Sequence, residues 1–135
     1  MNAVASSLGV LRSFLIYYGI PMRAARLRRF YAQFVPPGGL CFDVGAHLGN
    51  RIRAFRDLGA RVVAIEPHPD LLHVLRALYG RDAGVTIVAA ALGARDGEAP
   101  LWVCPRNPTV TTLSQDWIQE VQQEVGFQRI RWQLS

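Results

Sequence analysis

Cys41-Phe42-Asp43-Val44-Gly45-Ala46-His47-Leu48-Gly49-Asn50, followed by Val62-Val63-Ala64-Ile65-Glu66, decides the fold of this chain. The first stretch reads as a strand that runs into a tight glycine turn and then a helix start. The second reads as another strand, ending in an acid. Glu66 lies 21 residues after Gly45. At that spacing a βαβ unit brings a glycine loop and a carboxylate together to grip a nucleoside, with backbone at one end and ribose hydroxyls held at the other. The apolar run Leu40–Val44 predicts a parallel strand buried on both faces.

Outward from this core the pattern continues. A helix is predicted from about Asn50 to Leu58, closed by Gly59 as a left-handed cap, then a strand over Arg61–Ile65. Pro69 suits the first turn of a helix that runs to Tyr79 and stops at Gly80, and Val85–Ala90 reads as a third strand. Further on, Ala99–Val103 reads as a strand and Pro105–Thr112 as a polar loop. Ser114 or Asp116 then caps a helix through Val125, and Phe127–Trp132 alternates like a half-exposed strand.

Before the core, Pro36-Pro37-Gly38-Gly39 breaks all periodicity and marks the one clear boundary. Residues 1–39 form a helical extension and residues 40–135 an α/β part. In the extension, Ser6 or Ser7 caps a helix with Leu8, Leu11, Leu15 and Tyr18 in register, ended by Gly19. Pro21 opens a second helix with Met22, Leu27, Phe30, Tyr31 and Phe34 apolar.

A chain of 135 residues is one domain at most, and with 50% apolar and 19% charged residues it is not globally disordered. All fifteen basic residues are arginine. Residues 1–39 carry five of them and no acid, whereas residues 40–135 hold ten arginines against ten acids. The net charge of +5 therefore belongs to the extension. Such a segment suits a phosphate, an anionic lipid surface or nucleic acid, but the simpler expectation is a solvated helix face. Phe30, Tyr31 and Phe34 offer enough apolar surface to cover the sheet or a ligand pocket. That role is preferred over docking on an anionic membrane or a lipid-linked glycan, and no nucleic-acid partner is expected. Cys41 and Cys104 are far apart, without a CxxC pair, which fits a reduced, cytoplasmic protein. Residues 8–20 are too short for a membrane span, and the first eleven residues lack the basic start of a signal peptide.

The candidate ligand-binding residues are Asp43, Gly45, Ala46, His47, Gly49, Asn50, Glu66, Pro67 and His68. Gly45 allows the sharp turn and brings backbone amides toward a ligand, and Gly49 allows close packing at the helix start. Asp43 ends its strand with a carboxylate aimed at the crevice. It would repel a pyrophosphate and suit a ligand bearing an ammonium and hydroxyls. S-adenosylmethionine has both. The dinucleotide pattern G-x-G-x-x-G is not met, because His47 and Asn50 stand at its second and third glycines. Glu66 would take both ribose hydroxyls, stiffened in place by Pro67 and Pro69. His68 and His73 are five apart, the wrong spacing for two metal ligands on one helical face, and no metal is expected. Asn107–Thr112 has the composition either to reach over a ligand or to be a plain loop.

The runs FDVGAHLGN, LGARVVAIEPHP, ALGARDGEAPLWV and PTVTTLSQDWI together resemble the FkbM-type S-adenosylmethionine-dependent methyltransferases. So do Ile16–Pro21 and Phe34–Gly38 as a lead-in. The resemblance implies a Rossmann-like class I methyltransferase sheet, mostly parallel, and O-methylation of a hydroxyl on a sugar or secondary metabolite. By carry-over, Asp43, Gly45, His47 and Gly49 match the first motif, Glu66 the ribose acid, and Ala91-Leu92 the segment beside adenine. The family continues with a fourth core strand carrying Lys-Ile-Asp-x-Glu-Gly, which is not met before Ser135. The expectation is a domain truncated after about its third core strand, the cofactor-binding half of an enzyme. Its first strand would have an open edge, suited to pairing with the missing half or with another copy. A truncated or split-gene fragment without catalysis is the alternative, and an NAD-dependent protein a weaker one. No residue is assigned as the catalytic base.

Overall fold

The computed structural model describes Leu11, Arg12, Leu15, Gly19 and residues 22–104, 107–124 and 133–134. The expected first helix from Ser6 or Ser7 to Tyr18 and the expected last strand over Phe127–Trp132 lie outside the described residues. The chain divides into two compact units, Phe14–Leu92 and Met1–Ser13 with Gly93–Ser135.

The first unit is α/β. Helix α1 (Arg23–Tyr31) precedes β1 (Leu40–Val44), α2 (Asn50–Asp57), β2 (Arg61–Ile65), α3 (Pro69–Tyr79) and β3 (Val85–Val88). The three strands lie side by side in the order β1-β2-β3, all parallel. Two successive right-handed crossovers that step in the same direction put both connecting helices on one face. The register follows suit. Cys41, Val62 and Val85 form one lateral row, and Asp43, Ala64 and Ile87 the next. Apart from Asp43, these residues belong to the core, where they meet Ile52 and Phe55 of α2 and Leu75 and Tyr79 of α3. Tyr31 bolts α1 onto this layer, its ring edge-on to Phe55 at 4.7 Å.

The opposite face corrects the expectation that β1 is buried on both sides. Leu40, Phe42 and Val44 are 51%, 63% and 53% exposed, and Val88 is 36% exposed. In the lateral row Val44-Ile65-Val88 only the central Ile65 is buried. The apolar run was legible, but which faces are covered depends on where the helices go, and both go to one side. β1 and β3 are the sheet's edge strands among the described residues.

Side chains tie the connections down. Arg56 of α2 forms a two-pronged pair with Asp82 in the turn before β3, Nε to Oδ2 at 2.8 Å and Nη2 to Oδ1 at 2.9 Å. Its Nη1 donates to the Ala60 carbonyl at 2.7 Å. The second unit holds β4 (Trp102–Val103) paired antiparallel with β5 (Gln133–Leu134), a 3-10 turn at Pro108–Val110, and α4 (Gln115–Gln123). The expected strand over Ala99–Val103 is thus confined to its last two residues. Trp102 also exchanges two backbone hydrogen bonds with Thr112, so the polar loop of 107–112 closes a hairpin. Ser114 is the cap of α4, its Oγ accepting from the Trp117 amide at 3.1 Å. Among the described residues no helix is long and apolar enough to cross a membrane.

Gly49 is packed closely by side chains from α2 and α3. Its φ is +77°, and a Cβ there would lie 2.5 Å from the Tyr79 ring, 3.0 Å from Leu75 and 3.2 Å from Ile52. Left-handed strain and overpacking combine, so Gly49→Ala is expected to destabilise the protein by roughly 2–4 kcal/mol. Urea unfolding followed by circular dichroism measures this, and a change within about 0.5 kcal/mol would contradict it.

Candidate functional site

Parallel strands end at the same edge of the sheet, so the segments following Val44, Ile65 and Val88 gather there. Gly45 turns the chain off β1 with φ +68°, and His47 follows at φ +53°, unusual for a residue with a side chain. The amides of Gly45 and Ala46 both donate to the Ile65 carbonyl, at 2.9 and 3.1 Å. These amides fasten the loop to the end of β2 instead of facing outward as the sequence suggested. What Gly45 presents is its bare Cα: a Cβ there would meet nothing within 4 Å.

Glu66 closes the arrangement. Its Oε2 accepts from the His47 amide at 2.8 Å and its Oε1 from the His68 amide at 2.9 Å. One carboxylate therefore clasps the loop after β1 to the turn after β2. Glu66 is 5% exposed. Burial pushes its pKa up, against the two amide hydrogen bonds that pull it down. Each carboxylate oxygen retains a second lone pair.

Asp43, on the inner face of β1, is 3% exposed. Its Oδ1 accepts from Arg51 Nε at 2.6 Å, while Oδ2 is buried with no hydrogen-bond partner among the described residues. Burial raises its pKa and outweighs the lowering influence of Arg51. Arg51 also donates through Nη2 to the Gly45 carbonyl at 2.8 Å. It is the residue that sequence reasoning missed. A signal was present: a cation in the first turn of a helix opposes the helix dipole unless a carboxylate holds it there. The pairing also tempers the argument from charge, because Asp43 meets an incoming ligand with a guanidinium beside it.

His68 is the N-cap of α3. Its Nδ1 accepts from the Asp70 amide at 3.2 Å, which leaves the proton of the neutral ring on Nε2. That atom is buried without a hydrogen-bond partner among the described residues, in a side chain only 1% exposed. Pro69 occupies the first turn of α3 behind it. His47 is half-buried; burial first, then the nearby His68 and Arg51, lower its pKa to about 4. Asn50 is the first residue of α2, and Gly49 its left-handed cap. Pro67 links Glu66 to His68 and is half-buried. Ala91 and Leu92 follow β3 on the same edge of the sheet, with Leu92 60% exposed. Among the described residues no three His, Cys, Asp or Glu side chains gather as a metal site. Cys41 and Cys104 are free thiols.

No family model and no curated protein matches the chain. Among solved structures it is similar to the apo form of the mycolic acid cyclopropane synthase CmaA1, with 18% identity and a TM-score of 0.44. That match covers 51% of this chain and 27% of the synthase chain.

Two expectations follow from the clasp and its neighbours. Glu66→Gln places an amide NH2 against one of two backbone N–H donors, so it should destabilise the protein by about 1–3 kcal/mol and speed hydrogen exchange at His47 or His68. An unchanged melting curve and unchanged exchange would show that the clasp contributes nothing. His47 carries a pH signature. The unfolded chain takes up its proton near the ordinary value of 6.5, whereas the folded chain resists until about pH 4. The stability it contributes is present above pH 6.5 and is lost as the pH falls to about 4, of order 3 kcal/mol at most. Asp43 and Glu66, whose pKa values are raised, act in the opposite sense: their contribution is lost as the pH rises through their folded values. The measurement is therefore a difference. His47→Asn, which tolerates the left-handed backbone, should flatten the acid limb relative to wild type; parallel curves would remove His47 as its source.

Proposed function

We propose that this chain is the cofactor-binding portion of an S-adenosylmethionine-dependent methyltransferase of FkbM type, acting on a hydroxyl of a sugar or secondary metabolite. One observation carries the reading. The glycine loop after β1 and the acid after β2 stand together at one edge of a parallel sheet, with the Cα of Gly45 facing open space. That edge is where nucleoside ligands of open α/β sheets bind. The residue chemistry fits the cofactor. Asp43 Oδ2 is an acceptor still without a hydrogen-bond partner among the described residues, suited to an ammonium or hydroxyl. Glu66 keeps the lone pairs that ribose hydroxyls require, although at 5% exposure it must turn out of its clasp to offer them. Ala91 and Leu92 lie beyond β3 where the resemblance puts adenine.

S-adenosylmethionine, when bound, supplies an electrophilic methyl group on a sulfonium. The chain's own residues bind and orient. Asp43 and Arg51 hold the loop, Gly45 permits close approach, and Glu66 selects for vicinal hydroxyls. His47, with a pKa of about 4, is a weak proton acceptor at neutral pH and does not serve as the base for an acceptor hydroxyl. None of the described residues is assigned as the base for the acceptor hydroxyl. The apolar, exposed face of β1 and its edge, unpaired among the described residues, suit pairing with a further polypeptide segment.

The clasp also favours a second reading. With both Glu66 oxygens already held by backbone amides, the loop is satisfied without a ligand, as suits a fragment that keeps the motif and has lost binding.

Calorimetric titration of the chain with S-adenosylhomocysteine, with NAD as control, separates the two. Binding in the micromolar range by S-adenosylhomocysteine alone is expected, about −8 kcal/mol. Gly45→Asn keeps the left-handed backbone while filling the open space, so it should remove binding and leave the melting temperature in place. No binding by a folded chain, or equal binding of NAD, would overturn the methyltransferase reading.

A further inference from the structure

The aromatic residues of α1 and the turn after it part company. Tyr31 turns inward to Phe55, at 4.7 Å. Phe30 and Phe34 turn outward, 54% and 67% exposed, with their rings 5.5 Å apart and edge-on. The sequence had all three as cover for the sheet or a pocket; only Tyr31 packs against the core. The reason is angular: Tyr31 continues the stripe of Leu27 four residues earlier, whereas Phe30 falls on the flank.

That flank has a consistent composition. Met22 at the N-cap, Arg26 and Phe30 repeat every four residues and share one side of the helix, and Phe34 extends the stripe. Met22 is 72% exposed and Arg26 is exposed. Arg29, three residues from Arg26, borders the stripe and is exposed too. Residues 1–39 contain no acid at all. The ion pairs Arg51–Asp43 and Arg56–Asp82 involve neither Arg26 nor Arg29. Exposed apolar side chains interleaved with cations, in a segment without acids of its own, complement an anionic lipid surface.

We propose that this flank of α1 docks the protein on an anionic bilayer. Phe30, Phe34 and Met22 enter the boundary between headgroups and acyl chains, and Arg26 and Arg29 meet lipid phosphates. Charge alone would equally suit a nucleic acid. The aromatic geometry decides between them. Stacking on bases needs an open ring face, and the edge-on Phe30–Phe34 pair covers one of its own. Partition into an acyl boundary asks for no particular ring orientation. The proposal is independent of the cofactor reading, because no residue of the stripe belongs to the glycine loop or to the Glu66 turn.

The test is flotation of the full chain with phosphatidylcholine vesicles, with and without phosphatidylglycerol. Flotation only with the anionic vesicles, reversed by salt, is expected. Phe30→Ser with Phe34→Ser, and separately Arg26→Gln with Arg29→Gln, should each weaken binding roughly tenfold or more. Circular dichroism confirms that these exposed substitutions leave the fold intact. The emission that Phe30→Trp adds to that of the three native tryptophans, read as a difference from wild type, should shift to the blue on adding anionic vesicles and be quenched by brominated acyl chains. The proposal falls if flotation is indifferent to lipid charge, if both double variants float like wild type, or if the tryptophan stays solvent-exposed. It also falls if a single-stranded RNA probe binds more tightly than the vesicles and loses its affinity in the same variants.

Discussion

A single buried carboxylate organises the working edge of the sheet. Glu66 joins its own turn to the loop 19 residues before it, accepting from the His47 and His68 amides at 2.8 and 2.9 Å. Without an acceptor there, two buried N–H groups would be orphaned, a penalty of about 1–3 kcal/mol each. The burial that opposes its ionisation also makes the bonds it forms strong. Around it the loop is held from two further directions, by the Ile65 carbonyl and by Arg51 on the Gly45 carbonyl. These contacts come from the segment between β1 and the start of α3, and Tyr79 at the far end of α3 adds one more by donating its hydroxyl to the Gly49 carbonyl at 2.9 Å.

The same unit explains what lies bare. Right-handed crossovers in one direction stack α2 and α3 on a single face, and the rows Cys41-Val62-Val85 and Asp43-Ala64-Ile87 are covered as a result. In the alternate rows the β1 residues Leu40, Phe42 and Val44 are apolar too and stay exposed, while Ile65 of the central strand is buried. Period-two alternation normally distinguishes a covered face from a wet one. β1 lacks that alternation: its exposed residues are Leu40, Phe42 and Val44 and its buried one is Asp43. The polarity is inverted because Asp43 answers to Arg51 within the site and not to solvent.

Much of this could be read from the chain. Gly45, Gly49 and Gly59 announce left-handed turns, and all three have φ between +68° and +82°. Pro69 marks the start of α3, and the apolar runs give all three parallel strands. Long-range pairing is what the sequence concealed. Nothing near Glu66 says that its partners are the amides of His47 and His68, and nothing near Asp82 says that Arg56 reaches it across 26 residues. The sequence offers His68 as a ligand residue, while its cap bond to the Asp70 amide is a property of helix starts in which a ring nitrogen replaces the usual hydroxyl or carboxylate. At α1, helical spacing identified the apolar residues. It could not tell Tyr31 from Phe30, which differ by one position and so by about 100° around the axis.

A sheet wetted on one face has a thermodynamic signature of its own. The heat capacity released on folding scales with the apolar area withdrawn from water, and Leu40, Phe42, Val44 and Val88 withhold much of theirs. The stability curve of such a unit is correspondingly shallow, with little curvature between cold and heat. A molecule that dried that face would add both area and binding free energy to the native state alone. The melting temperature would then become a function of that molecule's concentration as much as of the sequence.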